Sequence, residues 1–345
     1  MTLKIKQTLI GLAVSASLVG CTPTENTDQA KAITNTEQTQ STNADGNIEA
    51  NSALSDDTVV TIDTVRGDVD LPVNPHPIAV YDMTLMQDLA ALGVPVDGLP
   101  DNLPLDNLMA VDTSESKNPE SKKIGTLFEP DMEALNEMQP KAILVGSRMA
   151  EKYDTLSQMA PTLDLTLDTA NIYESSKQRL ADLGRLFGKA DKAQALQKDI
   201  DDAIEKAKTA SAGKGNGLVV LVNGNKISTY GADSRFGFIH TVFDIPVADA
   251  QIEEARHGQP VSFEYLQKIN PDWLFVLDRT SAIGEEGDGA DVVLDNPLVH
   301  QTTAWKNDNI VYLSPDSYLA FGGYYQWLKD ANLVTEKFTQ ADSTQ

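Results

Sequence analysis

The 345-residue chain carries 51 acidic against 27 basic side chains, a formal charge of −24, which excludes a nucleic-acid interface and a basic membrane-surface patch. Its single cysteine, Cys21, leaves a mature chain without disulfides or cysteine-built metal sites. Beyond a polar N-terminal stretch about 280 residues remain, enough for two lobes with cores of their own.

Lys4 and Lys6 precede an apolar segment, residues 9–20, that is too short to span a membrane as a mature helix. Leu18-Val19-Gly20-Cys21 resembles a lipobox, which implies cleavage before Cys21 and a diacylated N-terminus. Residues 22–57 are rich in Thr, Asn, Gln, Asp, Ser and Ala and bury too little to fold. As a coil they form a tether of ~30–35 Å. The expected division is a signal peptide at 1–20, a disordered tether at 21–57 and an N-terminal α/β lobe at 58–170. A helical linker at 171–212 and a C-terminal α/β lobe at 213–345 follow.

Residues 59–65 alternate, Arg66-Gly67-Asp68 turns and Val69 and Leu71 return, predicting a hairpin. A strand at 78–81, a helix at 84–92 and a short strand ending at Gly98 come next, then a rim loop at 99–123 and a strand at 124–127. Glu129-Pro130-Asp131 opens a helix with Pro at its start. Beyond Arg148 the pattern predicts a helix at 150–159, a strand at 162–165 and an amphipathic helix at 172–187 that Gly188 interrupts. The long helix at 190–211 has Asp191 as its expected cap. Ala193, Leu196, Ile200, Ile204 and Ala207 form one apolar stripe over ~30 Å. Strands at 218–222 and 226–230, a helix from a Ser234 cap through Phe243, a strand at 310–313 and a terminal helix from Gly323 complete the second lobe. Strands alternating with helices in each half call for α/β lobes with largely parallel sheets.

One unit occurs twice. Glu133, a helix, Pro140, the apolar run Ala142-Ile143-Leu144-Val145 and Arg148 recur as Glu264, a helix, Pro271, Trp273-Leu274-Phe275-Val276-Leu277 and Arg279, offset by 131 residues throughout. The chain is therefore two similar lobes joined by the long helix.

No phosphate loop, dinucleotide glycine set, nucleophile elbow or His-Glu-x-x-His is present. The four histidines, His76, His240, His257 and His300, are scattered, and His76 and His240 read as structural. Of seven arginines, Arg148, Arg235, Arg256 and Arg279 fall at strand ends, at a helix start or in a loop. Carboxyl ends of strands line the ligand crevice of open α/β sheets. Arg148 and Arg279 would thus face one cleft, suited to a planar, delocalised anion. Pairing with a neighbour such as Asp278 is the structural alternative.

Several stretches together resemble the ferric-siderophore-binding lipoproteins of ABC importers, catecholate type. They are Arg66-Gly67-Asp68-Val69 with Pro72-Val73-Asn74-Pro75, Ser234-Arg235-Phe236-Gly237, and His257-Gly258-Gln259 with Val261-Ser262-Phe263-Glu264. Asp278-Arg279 and Tyr312-Leu313-Ser314-Pro315 with Tyr318-Leu319-Ala320 complete the set. The resemblance implies the class III periplasmic-binding-protein fold, two Rossmann-like lobes joined by a single long α-helix with small hinge motion. It implies a binding protein, not an enzyme, with no intrinsic cofactor and Fe(III) arriving in its siderophore. Arg148, Arg235 and Arg279 would hold the anionic complex, and His257 and Tyr318 would be the protein's own iron ligands. Glu133 and Glu264 would dock to an ABC permease dimer with its ATPase. The chain would be a periplasmic monomer held to the envelope through Cys21. Cobalamin or haem on the same scaffold is the alternative cargo. Phe321-Gly322-Gly323-Tyr324-Tyr325 departs from the Ser/Gly/Asn-rich turn of the pattern.

Overall fold

A computed structural model describes residues 58–101, 103, 118, 120–253 and 257–343. The expected signal peptide, Cys21, the tether, most of the rim loop and Arg256 lie outside the described residues. The chain opens with an antiparallel hairpin of β1 (Val59–Ile62) and β2 (Val69–Pro72), as the alternation requires.

The first lobe holds β3 (Ile78–Val80), β4 (Gly98–Leu99), β5 (Lys122–Lys123), β6 (Ala142–Val145) and β7 (Thr162–Asp164), all parallel, in the order β5-β4-β3-β6-β7. Helix α1 (Met83–Leu92) follows β3, and α2 (Met132–Met138) precedes β6. By position along the chain this order is 3-2-1-4-5, the doubly wound arrangement. Strands β3 and β6 are apolar throughout and buried, as a sheet covered on both faces demands.

Two helices, α3 (Ile172–Leu186) and α4 (Ala190–Ser211), lead to the second lobe. Its strands are β8 (Gly217–Asn223), β9 (Lys226–Tyr230), β10 (Gln259–Val261), β11 (Trp273–Asp278) and β12 (Ile310–Tyr312). They pair in the order β10-β9-β8-β11-β12, again 3-2-1-4-5, with β9 antiparallel to both neighbours. Helix α5 (Phe263–Ile269) precedes β11, α6 (Arg279–Ile283) follows it, and α7 (Pro315–Leu319) follows β12. The repeat is visible in the backbone: α2 and α5 end on left-handed residues 131 apart, Gln139 (φ 50°) and Asn270 (φ 52°).

The buried stripe of α4 comprises Ala193, Leu196, Ile200, Ala203, Ile204 and Ala207. Against it lies α8 (Tyr324–Ser343). Tyr324 donates its hydroxyl to Asp199 (3.3 Å), and Lys214 donates to the Phe338 carbonyl (3.0 Å). The long helix α4 is therefore buttressed by the last helix, α8.

Several local expectations are corrected. The strand expected at 124–127 is the pair Lys122–Lys123; Gly125 at φ +102° and the Thr126 turn end the extended run. Pro130 precedes the helix, and Asp131 is the cap, accepting from Glu133 and Ala134 N–H. Residues 150–159 form only two short turns, Ala150–Lys152 and Tyr153–Leu156. Lys189 holds the cap position of α4, and Asp191 sits in its first turn, where the positive helix end favours a carboxylate. Ser234 caps nothing: its hydroxyl turns back to the Gly231 carbonyl (2.5 Å), and only Phe238–Thr241 is helical. His76 pairs with Asp97 (2.6 Å), and buried His240 bonds the Ile245 carbonyl (2.8 Å), the structural roles expected.

Candidate functional site: the cleft at the carboxyl ends of the sheets

Doubly wound sheets open a crevice where strand order reverses, here beyond β3 and β6 in one lobe and beyond β8 and β11 in the other. The two crevices meet. Met83 at the start of α1 packs with Ala282 of α6 and with Leu319 and Ala320 in a small buried apolar cluster, and the Thr84 hydroxyl reaches the Phe321 carbonyl (3.5 Å).

Arg279 begins α6, one step past β11. Its Nη1 donates to Asn223 Oδ1 (3.0 Å) at the end of β8, so the guanidinium bridges the switch point. Its Nε donates to the Tyr318 hydroxyl (3.0 Å), and Nη1 also reaches Glu285 (3.2 Å). Asp278, the local partner considered above, is occupied elsewhere. Burial alone would raise its carboxyl, but donors from Ser281 and Ala290 hold it below the ordinary aspartate value. The counter-charge of Arg279 is Glu285, which nothing in the sequence singles out.

Helix α7 forms because Pro315 fits a first helical turn, and it carries Tyr318 half-buried to the cleft. Arg235 donates from Nη2 to the Tyr318 carbonyl (2.7 Å). Its Cζ lies 4.7 Å from the Phe236 ring, 5.1 Å from Tyr318 and 5.9 Å from Phe321. Stacking on rings fixes the guanidinium plane while its edge still donates. Phe321, part of the departure from the family pattern, thus belongs to this wall. Asn223 was findable from the switch-point rule; Phe321 was findable only through its neighbours.

The structure brings Arg235, Tyr318 and Arg279 into one cluster. It does not bring Arg148 or His257 into contact with them. Arg148 lies three residues past β6, half-buried, with no hydrogen bond or ion pair among the described residues. Two residues before it, at Gly146, a β-carbon would run into the Asp82 carboxylate that caps α1. His257 is exposed and likewise makes no hydrogen bond among the described residues. The next residue, Gly258 (φ +74°), lies against the Tyr230 ring, which packs edge-on to Phe236 at 4.8 Å. His257 therefore stands at the margin of the same aromatic wall.

Glu133 and Glu264 are exposed in the first turns of α2 and α5. A hydrogen bond from the Ser262 hydroxyl holds the Glu264 carboxyl below its usual value. Among the described residues no helix is long and apolar enough to cross a membrane, and no three His, Cys, Asp or Glu side chains gather as a metal site.

The sequence pattern of the family described as periplasmic binding protein matches residues 78–317. The chain belongs to that family. Its periplasmic-binding-protein fold is the class III arrangement, and such proteins are extracytoplasmic solute-binding components rather than enzymes. The chain is 38% identical over 256 residues to the petrobactin-binding protein YclQ of Bacillus subtilis, covering 73% of this chain and 79% of that one. The crystal structure of YclQ matches with a TM-score of 0.75 at 34% identity, over 81% of this chain and 99% of the other. The ferric-anguibactin-binding protein FatB of Vibrio anguillarum is 30% identical over 272 residues, 76% of this chain and 82% of its own. The periplasmic catecholate-siderophore binding protein VctP of Vibrio cholerae matches with a TM-score of 0.71 at 25% identity, over 82% and 100% of the two chains.

Proposed function

We propose that this chain is the substrate-binding component of an iron-siderophore ABC transporter. It captures an anionic ferric siderophore of catecholate type between the lobes and delivers it to an inner-membrane permease dimer with its ATPase. The observation that carries this reading is the cluster of Arg235, Tyr318 and Arg279: two guanidiniums around one phenol in an aromatic wall. Flat, delocalised anions are what stacked and edge-donating guanidiniums recognise. The names of the relatives support a ferric siderophore as the cargo. Arg148, from the facing lobe, completes the set.

Iron comes with the siderophore, and Tyr318 and His257 supply protein donors where the siderophore leaves coordination positions open. Phenolate oxygen suits hard Fe(III), and imidazole is an acceptable nitrogen donor. Cys21 tethers this monomer to the envelope through its lipid. The test is a titration of the purified protein with anionic ferric catecholates, followed by the fluorescence of Trp273, Trp305 and Trp327. Saturable one-to-one quenching is expected. Tighter binding of a neutral ferric hydroxamate than of any anionic catecholate would overturn the assignment.

A further inference from the structure

Behind Tyr318 lies a buried polar network that no direct contact with the cleft explains. Asp330 of α8 is fully buried and accepts from the Ser317 hydroxyl (2.6 Å), the Gln326 amide (2.7 Å) and, more weakly, the Ser314 hydroxyl (3.4 Å). Gln326 accepts from Gly322 N–H (2.8 Å), and its own N–H reaches Gln87 of α1 in the first lobe (3.2 Å). One residue before Ser317, buried Asp316 takes the ammonium of Lys329 on one oxygen, while the other has no hydrogen-bond partner among the described residues. No cation pairs with Asp330 among the described residues; the charged groups around it are Asp316 with Lys329, and farther along the network Asp88 with Arg179. A buried carboxylate satisfied only by neutral donors is held at a loss of stability. What it grips is the short helix bearing Tyr318.

We propose that Asp330 is a positioning residue of the cleft: through Ser317 and Gln326 it sets where α7, and so the Tyr318 hydroxyl, stands against Arg279. This rests on the siderophore-binding reading only for its consequence in affinity. Neighbouring residues of α7 and α8, Asp316 with Lys329 and Ser317 with Asp330, clamp the helix at two points immediately before Tyr318. Arg235 fixes the Tyr318 carbonyl from the other side.

The test begins without ligand. In ¹⁵N-arginine-labelled protein the Arg279 Nε–H, bonded to Tyr318, should be lost or broadened in Asp330→Leu and Ser317→Ala. The Arg179 Nε–H, bonded to Asp88 (2.9 Å), should persist. Asp330→Asn should retain the Arg279 signal, because its amide oxygen still accepts from Ser317 and Gln326. Affinity for a ferric tetradentate bis-catecholate should fall about tenfold in Ser317→Ala and stay within about threefold of wild type in Asp330→Asn. An unchanged Arg279 signal in Ser317→Ala overturns the positioning role, as does equal loss in both Asp330 variants. If wild type binds no ferric catecholate, the ligand reading fails, and the arginine signal still decides the role of Asp330.

Discussion

Arg279 bonds to the end of β8, to the hydroxyl of α7 and to Glu285, and these three bonds explain how a strongly acidic protein presents a cation without losing it to the nearest carboxylate. Asp278, its neighbour, is satisfied by backbone and Ser281 donors, so among the described residues exposed Glu285 is the one carboxylate paired with Arg279 that competes with an incoming anion. Exposed ion pairs are weak, about 0–1 kcal/mol, which makes Glu285 displaceable. Glu285→Gln should therefore raise affinity for an anionic ferric catecholate by about two- to fivefold, measured by fluorescence titration at low salt. Lower affinity would show that Glu285 orients Arg279 instead of masking it. Arg235→Ala should act in the opposite direction, by roughly 1.5–3 kcal/mol or about 10- to 150-fold, the range for hydrogen bonds to charged groups. The position of Arg279 was legible because a strand ends one residue before it. Glu285 was not, since its partner is set by the folding of the loop.

Helices α4 and α8 show which elements a sequence reveals. The stripe of α4 repeats every three to four residues with no Gly or Pro until Gly213, and its span appears in the structure as Ala190–Ser211. By contrast α7 is five residues long, too short for a periodicity, and reads as the end of a strand. The polar interior of α8 was equally hidden: Gln326 and Asp330 sit four residues apart and resemble any solvated helical pair until the tertiary structure buries both. Burial raises the Asp330 carboxyl to about 6, above the ~3.9 of an unfolded aspartate. Between those values the folded chain keeps a proton that the unfolded chain releases. Stability from this group is thus fully present below about pH 4 and is lost as the pH rises through 6. Asp330→Asn should stabilise the protein by roughly 2–3 kcal/mol near pH 7.5 and by little near pH 4, read from urea unfolding at the two pH values. Equal effects at both would mean that Asp330 does not change its charge in the folded protein.

At the scale of the molecule the duplication makes one arrangement do two jobs. In each lobe a helix runs back from the carboxyl end of the sheet before strand β6 or β11, so the N-termini of α2 and α5 lie at the ends that flank the cleft. The strand after each helix leads to an arginine, Arg148 or Arg279, and the first turn of each helix displays an exposed glutamate, Glu133 or Glu264. The proposed ligand face and the two proposed docking glutamates are therefore carried by the same pair of units. A permease with one basic pocket on each half would meet one glutamate per lobe, with the loaded cleft held between them. Favourable placement at a positive helix end, worth ~0.3–1 kcal/mol, is the other reason for a glutamate there. The two reasons separate experimentally because Asp131 already caps α2 through its own side chain, and neither glutamate touches the arginine cluster. Glu133→Ala with Glu264→Ala should lower stability by no more than about 1–2 kcal/mol and leave the affinity for ferric catecholate unchanged. It should abolish uptake of ⁵⁵Fe-labelled siderophore by cells that depend on this protein, with each single variant falling between. Uptake at the wild-type rate by the double variant would assign these residues to helix stability alone.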